Sequence, residues 1–145
     1  TEPVHQIVGL TKALEMAYAN LEDETAYISS LKSYCIEQLE SHFKQVKFNG
    51  ASSDLERSTY TILNVCLPIS SDRSSMLLFQ LDLKNIACSK GSACQSGSTG
   101  TSHVLQEILS DDDLQKPSIR FSFSKYNTQQ DIDYTIQVLK DFINE

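Results

Sequence analysis

Between Gly9 and Gly50 the chain carries no glycine and no proline. Across residues 3 to about 43 its apolar residues recur with the period of a helix. Ile7, Leu10, Leu14, Ala17, Leu21, Ile28, Leu31, Cys35, Leu39 and Phe43 follow one another at spacings of three, four or seven. Pro3 suits a first turn, where its missing N–H is no loss. One helix of this length, or two in tandem, draws its stability from packing along a body larger than itself. The rest of the chain must help to supply that body.

After Phe43 the period changes. Val46-Lys47-Phe48 reads as a short strand, followed by the turn signal Asn49-Gly50 and a polar connection over residues 51–57. Thr59 to Leu67 is rich in β-branched and apolar residues, and Pro68 ends it, which predicts a strand. Ser71-Asp72 reads as the N-cap of a helix through Met76, Leu77, Leu78 and Leu81. Ile86 to Cys88 predicts another strand, and Ser102 to Leu109 a short helix. Ser118 to Ser124 alternates, with Ile119, Phe121 and Phe123 on one face and Ser118, Arg120, Ser122 and Ser124 on the other. That is the pattern of a half-buried strand. Thr128 and Asp131 make a capping-box-like start for a last helix with an apolar stripe of Ile132, Ile136, Leu139 and Ile143. The order predicts an α+β fold: a small, mostly antiparallel sheet with helices packed on one face.

Charge and composition narrow the function. The net charge is −7, which disfavours non-specific binding to nucleic acid. The acidic runs Glu22-Asp23-Glu24 and Asp111-Asp112-Asp113 read as solvated surface. No apolar run approaches the roughly 18 residues of a membrane span, and no secretory signal is visible. The sequence starts at Thr1, not Met, so this says little about a parent protein. Four cysteines in 145 residues do not make a disulfide scaffold. Cys35 and Cys66 sit in hydrophobic segments and read as small buried apolar residues, and a reducing, cytoplasmic setting is expected.

Cys88 and Cys94 lie within a different kind of segment, ACSKGSACQSGSTG, spaced by glycine and serine. A zinc site from Cys88, Cys94 and His103 is disfavoured, because a spacing of six fits no common knuckle and no fourth ligand is evident. A redox dithiol lacks its CxxC, and a phosphate loop lacks both GxxxxGK[ST] and GxGxxG. A reactive single thiol fits better. Gly91, Ser92 and Ala93 before Cys94, and Ser96, Gly97 and Ser98 after it, give exposure, backbone freedom and room for a second molecule. From composition alone, an incidental cysteine in a surface loop is equally open. Arg120 is the second candidate, a planar double donor suited to a carboxylate, although an isolated surface arginine is the commoner case. His5 and His103 read as surface residues.

GSACQSGSTGTSHVL, followed by PSIRFSFSKYNTQQDIDYTIQVL, resembles the C-terminal part of cysteine desulfurases of the NifS/IscS-like group. These are pyridoxal-phosphate enzymes of the class V aminotransferase family, with the type I fold. TEPVHQIVGLTKAL resembles the opening of that part, just after the large domain, and LLFQLDLKNIACSKGSAC the helix and strand leading to the active cysteine. The resemblance covers nearly the whole chain and is weakest over residues 22–57.

The resemblance implies a concrete chemistry. With pyridoxal 5′-phosphate, the family converts L-cysteine to alanine, and the loop cysteine takes the sulfur as a persulfide for iron–sulfur cluster or other sulfur biosynthesis. Carried over, Cys94 is that nucleophile and persulfide carrier. Arg120 resembles the arginine that holds the substrate carboxylate. Thr1 resembles the threonine that touches the cofactor phosphate of the partner subunit in a homodimer. A sulfur acceptor or scaffold protein is the further partner implied. Cys88 matches no catalytic position of the family and is expected to pack. Lys90 stands where serine is more common, and Thr99-Gly100-Thr101 replaces a Leu-Glu-Pro-like stretch. Lys90 is expected to be exposed and not to tune Cys94.

No lysine of the chain sits in the context of the family's cofactor lysine. The histidine stacked on the cofactor and the acid paired with its ring nitrogen are likewise unmatched. Residues 1–145 are therefore expected to form the C-terminal small domain, roughly a third of the enzyme, inactive alone. Two alternatives stand beside this: a selenocysteine lyase domain, and a non-catalytic sulfur-carrier module using Cys94 as acceptor.

Overall fold

In the computed structural model, which describes residues 2–90 and 102–144, the long helical stretch divides in two. Helix α1 spans Val4–Ala19 and α2 spans Leu21–His42, with the backbone breaking helical geometry at Asn20. The division is also one of burial. Helix α1 buries none of its residues, and Ile7, Leu10 and Leu14 stay exposed, whereas α2 buries Ile28, Leu31, Cys35 and Leu39. One apolar stripe on the page of the sequence is thus two: the second half forms core, and the first half finds no partner among the described residues. Pro3 lies one position before the first turn, at the N-cap.

The remaining elements are β1 (Lys47–Phe48), β2 (Ile62–Cys66), α3 (Ser71–Leu83), β3 (Ser89–Lys90), α4 (His103–Ile108), α5 (Asp111–Leu114), β4 (Ser118–Ser122) and α6 (Gln129–Asn144). The sheet runs β1-β2-β4-β3, and every pairing in it is antiparallel. Leu63 and Val65 of β2, with Ile119 and Phe121 of β4, face the core, where they meet Leu31 and Leu39 of α2, Leu77 and Leu81 of α3, and Ile136 and Leu139 of α6. The expected α+β architecture, with helices on the apolar face, is what forms. The capping box forms as well: Thr128 N–H donates to Asp131 Oδ2 at 2.8 Å, and Asp131 N–H donates to Thr128 Oγ1 at 3.3 Å. Such a cap contributes about 1 kcal/mol.

Several element boundaries move, among them β1, which begins at Lys47, and β4, which ends at Ser122. The helix expected to be capped by Ser71-Asp72 begins at Ser71 itself, with Ser70 as its N-cap. The strand expected from Thr59 starts at Ile62, because residues 58 and 59 are held elsewhere. Lys32, fully buried, donates from Nζ to Ser58 Oγ at 2.7 Å and to the Thr59 carbonyl at 2.8 Å. A buried ammonium requires such acceptors, and burial lowers its pKa. The strand expected at Ile86–Cys88 lies just after it, at Ser89–Lys90.

Of the run Asp111–Asp113, expected to be solvated, Asp111 and Asp112 are exposed and Asp113 is a correction. Asp113 is buried, and Lys47 and Lys116 donate to its two carboxylate oxygens at 2.6 and 2.9 Å. Ser110, the N-cap of α5, adds a hydroxyl at 3.0 Å and accepts from Asp113 N–H. Lys47, then Lys116, hold the Asp113 carboxyl well below the ordinary carboxylate value. A depressed carboxylate pKa stabilises the fold above the ordinary value of 3.8 and loses that contribution as pH falls toward the depressed one. Asp113→Asn is therefore expected to lower the thermal midpoint by a few degrees at pH 7 and by much less at pH 2. Calorimetry at the two pH values checks this; equal losses at both would refute the ion-pair account.

Candidate functional site

The second face of the sheet is where polar side chains gather. In β4, Ser118, Arg120 and Ser122 point away from the core, yet only Ser122 is exposed; Ser118 is buried and Arg120 half-buried. The clean division into a core face and a solvent face expected from the alternation holds for the apolar side alone. Helix α5 is the reason at one end, since Cys66 beside Ser118 reaches the Asp113 carbonyl.

Register places Arg120 in a transverse row. Asn64 of β2 stands opposite it on one side, and Ser89 of β3 on the other. Beyond Asn64 comes Asn49, whose N–H donates to the Asn64 carbonyl at 2.9 Å. The β2–β4 ladder bonds, Leu67 N–H to the Pro117 carbonyl and Phe123 N–H to the Thr61 carbonyl, fall on odd-numbered β2 positions. Asn64 and Arg120 are therefore a non-hydrogen-bonded pair, the kind whose Cα atoms approach to ~4.5 Å and whose side chains lie closest.

The row is tied together from the β1 side. Asn49 Nδ2 donates to Asn64 Oδ1 at 2.8 Å and to Ser118 Oγ at 2.9 Å. Ser52 Oγ donates to the Asn64 carbonyl at 2.9 Å. The turn that brings Ser52 back needs Gly50 at φ +60°, a left-handed value that favours glycine. Asn49, expected only to mark that turn, is in fact a buried member of the row. Arg120 Nε is fully buried without a partner among the described residues. A guanidinium with a buried donor left open suits an anionic, planar acceptor such as a carboxylate.

The thiols divide sharply. Burial pushes the Cys35 thiol up to about 12, and burial also raises Cys66 and Cys88. All three are free, and none is primed to be a thiolate near neutral pH. Cys88 packs against the core, as expected. Cys94 and Thr1 lie outside the described residues. Lys90, His5 and His103 are exposed, and no group of three or more potential metal ligands exists among the described residues. A cavity of about 330 Å³ lies on the other side of β4, lined by Cys35, Leu39, Phe121, Asp131, Ile132 and Thr135 among others. Its thiol is inert, and it belongs to the seam between α2 and α6 rather than to the Arg120 row.

The model of the family "Aminotransferase class-V" matches residues 1–135. The chain belongs to the class-V aminotransferase family. Among its curated relatives in that family, cysteine desulfurase IscS of Clostridium botulinum is 37% identical over 145 residues, covering all of this chain and 36% of the relative. Cysteine desulfurase IscS of Pseudoalteromonas translucida is 34% identical over 143 residues, covering 99% of this chain and 34% of the relative. The chain thus spans about a third of the length of these relatives. A solved NifS-like protein superposes with a TM-score of 0.75 at 26% identity, covering 99% of this chain and 34% of that one. A NifS-like protein of Rickettsia africae shares the fold, with a TM-score of 0.75 at 24% identity, covering 100% and 36%.

Asn64 and Asn49 were not among the residues that the sequence put forward. The available signal was parity: Asn64 is the one polar residue within ILNVC, and it falls on the same face as Arg120 once the register is known.

Proposed function

We propose that this chain is the C-terminal small domain of a pyridoxal-phosphate-dependent cysteine desulfurase, residues 1–145 forming about a third of the enzyme. In this reading Cys94 is the nucleophile, Arg120 binds the substrate carboxylate, and Thr1 contacts the cofactor phosphate across a homodimer. The observation that carries it is the pairing of Ser89 with Arg120. It sets the strand that leads into the Cys94 segment directly beside the arginine.

The described residues fit the substrate's anionic end: Arg120 holds a buried donor without a partner among them. The cofactor, when bound, supplies the electron sink that lets the carbon–sulfur bond of cysteine break. This chain supplies the two other requirements. Arg120 fixes the amino acid by its carboxylate, so that the reacting sulfur has one position. Cys94, as thiolate, attacks that sulfur; the S–S bond forms as the Cβ–S bond breaks. The bonding pair stays with carbon, which takes a proton to give alanine. Sulfur is then held as the Cys94 persulfide until an acceptor or scaffold protein takes it, and no external oxidant or reductant is consumed. The three free thiols support a reducing, cytoplasmic setting.

The test is turnover. The full-length protein, loaded with pyridoxal phosphate, is expected to release alanine from L-cysteine in the presence of a reductant, with one sulfide per alanine. The 145-residue chain with the same cofactor is expected to release neither. Turnover of L-selenocysteine with none of L-cysteine would overturn the desulfurase reading, and appreciable turnover by the short chain would overturn the division of labour.

A further inference from the structure

Two buried polar atoms have no partner among the described residues, Asn49 Oδ1 and Arg120 Nε, and Asn64 lies between their side chains in one row. Buried donors are nearly always satisfied, so Arg120 Nε calls for an acceptor. The oxygen and nitrogen ends of a carboxamide exchange by a half-turn about its last torsion. Turning Asn49 and Asn64 over together moves no heavy-atom position and keeps both contacts with their roles reversed, while Asn49 Nδ2 takes the buried place that its oxygen held. The Asn49 oxygen then accepts from Asn64 Nδ2 across 2.8 Å and from the Ser118 hydroxyl across 2.9 Å. The Asn64 oxygen moves to the end of its amide away from Asn49, the side on which β4 and Arg120 stand.

We propose that Asn64 is a positioning residue for Arg120: its amide oxygen accepts from Arg120 Nε, with Asn49 and Ser118 setting the amide the right way round. The inference rests on Arg120 as the carboxylate clamp and names what aims it. Side-chain length supports the division. Asparagine is short and rises from the sheet only to the level of Nε, so it leaves the terminal Nη pair of the longer arginine free for a bidentate contact with substrate. A guanidinium pinned at Nε has its plane fixed before substrate arrives, which lowers the ordering cost of binding. Ser89, on the other flank of Arg120, is the competing acceptor.

The experiment is a double-mutant cycle in the full-length, cofactor-loaded protein, read as KM and kcat for L-cysteine. Asn64→Leu, which keeps the shape and removes the acceptor, is expected to raise KM about tenfold with kcat changed less than twofold. In an Arg120→Ala background the same substitution is expected to add nothing, because the group it aims is gone. Asn49→Ala, which leaves Asn64 in place but unties it, is expected to give a smaller KM rise and keeps the proposal testable if Asn64→Leu folds poorly. A KM within twofold of wild type for both variants overturns the proposal. So does a full Asn64→Leu effect persisting without Arg120, or a Ser89→Ala effect that replaces it. Wild-type turnover and the KM of Arg120→Ala alone report separately on the desulfurase reading. If either fails, the clamp itself is lost and the positioning role falls with it.

Discussion

Cys94→Ser in the full-length protein is expected to abolish the protein-bound persulfide and reduce desulfuration of L-cysteine to background, while the absorbance of the bound cofactor is unchanged. The size of the effect follows from what the residue must do. Sulfur transfer needs a nucleophile that is substantially ionised near neutral pH and can hold a second sulfur; a serine hydroxyl does neither. Rescue from within the described part of the chain is closed off. Cys35 is held near 12 by burial, and Cys66 and Cys88 are raised in the same direction. Mass spectrometry after incubation with L-cysteine reads the persulfide directly. Cys35→Ala, Cys66→Ala and Cys88→Ala are the controls and are expected to retain it. A Cys94→Ser protein that still gains a sulfur atom moves the nucleophile elsewhere and removes the central assignment.

What local patterning carries is legible in such a sequence, and what register carries is not. The alternation of Ser118 to Ser124 needs only period two, and it yielded β4 and its apolar face. The Thr128–Asp131 box is local for the same reason, since both of its hydrogen bonds close within three residues. The division at Asn20 is less visible, because the apolar spacing runs through it unbroken, and only burial tells α1 from α2. Asp113 shows the limit of reading charge runs. Three adjacent aspartates look alike, yet one is buried because Lys47, 66 residues away in sequence, reaches it. Asn64 shows the same limit at the site. A lone asparagine in a strand acquires meaning only when antiparallel pairing sets it against Arg120, 56 residues later (120 − 64). Cys94 is the reverse case. Its small-residue surroundings and the family resemblance single it out in the sequence, and it lies outside the described residues.

Arg120→Ala in the full-length protein is expected to raise KM for L-cysteine by roughly 10²-fold, with a far smaller change in kcat. A bidentate contact between guanidinium and carboxylate is two charge-assisted hydrogen bonds, and at the lower value of about 1.5 kcal/mol each they give that order of loss. The loss falls mainly on KM because the carboxylate is bound alike before and during reaction; it lies away from the carbon–sulfur bond that breaks. Arg120→Lys keeps the charge and discards the fork, so its KM is expected between those of wild type and Arg120→Ala. Cysteamine, which carries the thiol and amine but no carboxylate, isolates the contact. Its turnover, however slow, is expected to be indifferent to either substitution. Stability is a separate matter. Arg120 sits half-buried beside Asn64 and Ser89, so each variant needs its thermal midpoint measured before its kinetics are read. A folded Arg120→Ala protein with unchanged KM for L-cysteine would show that the row on β4 does not face the substrate, and the donor left open at Nε would then need another acceptor.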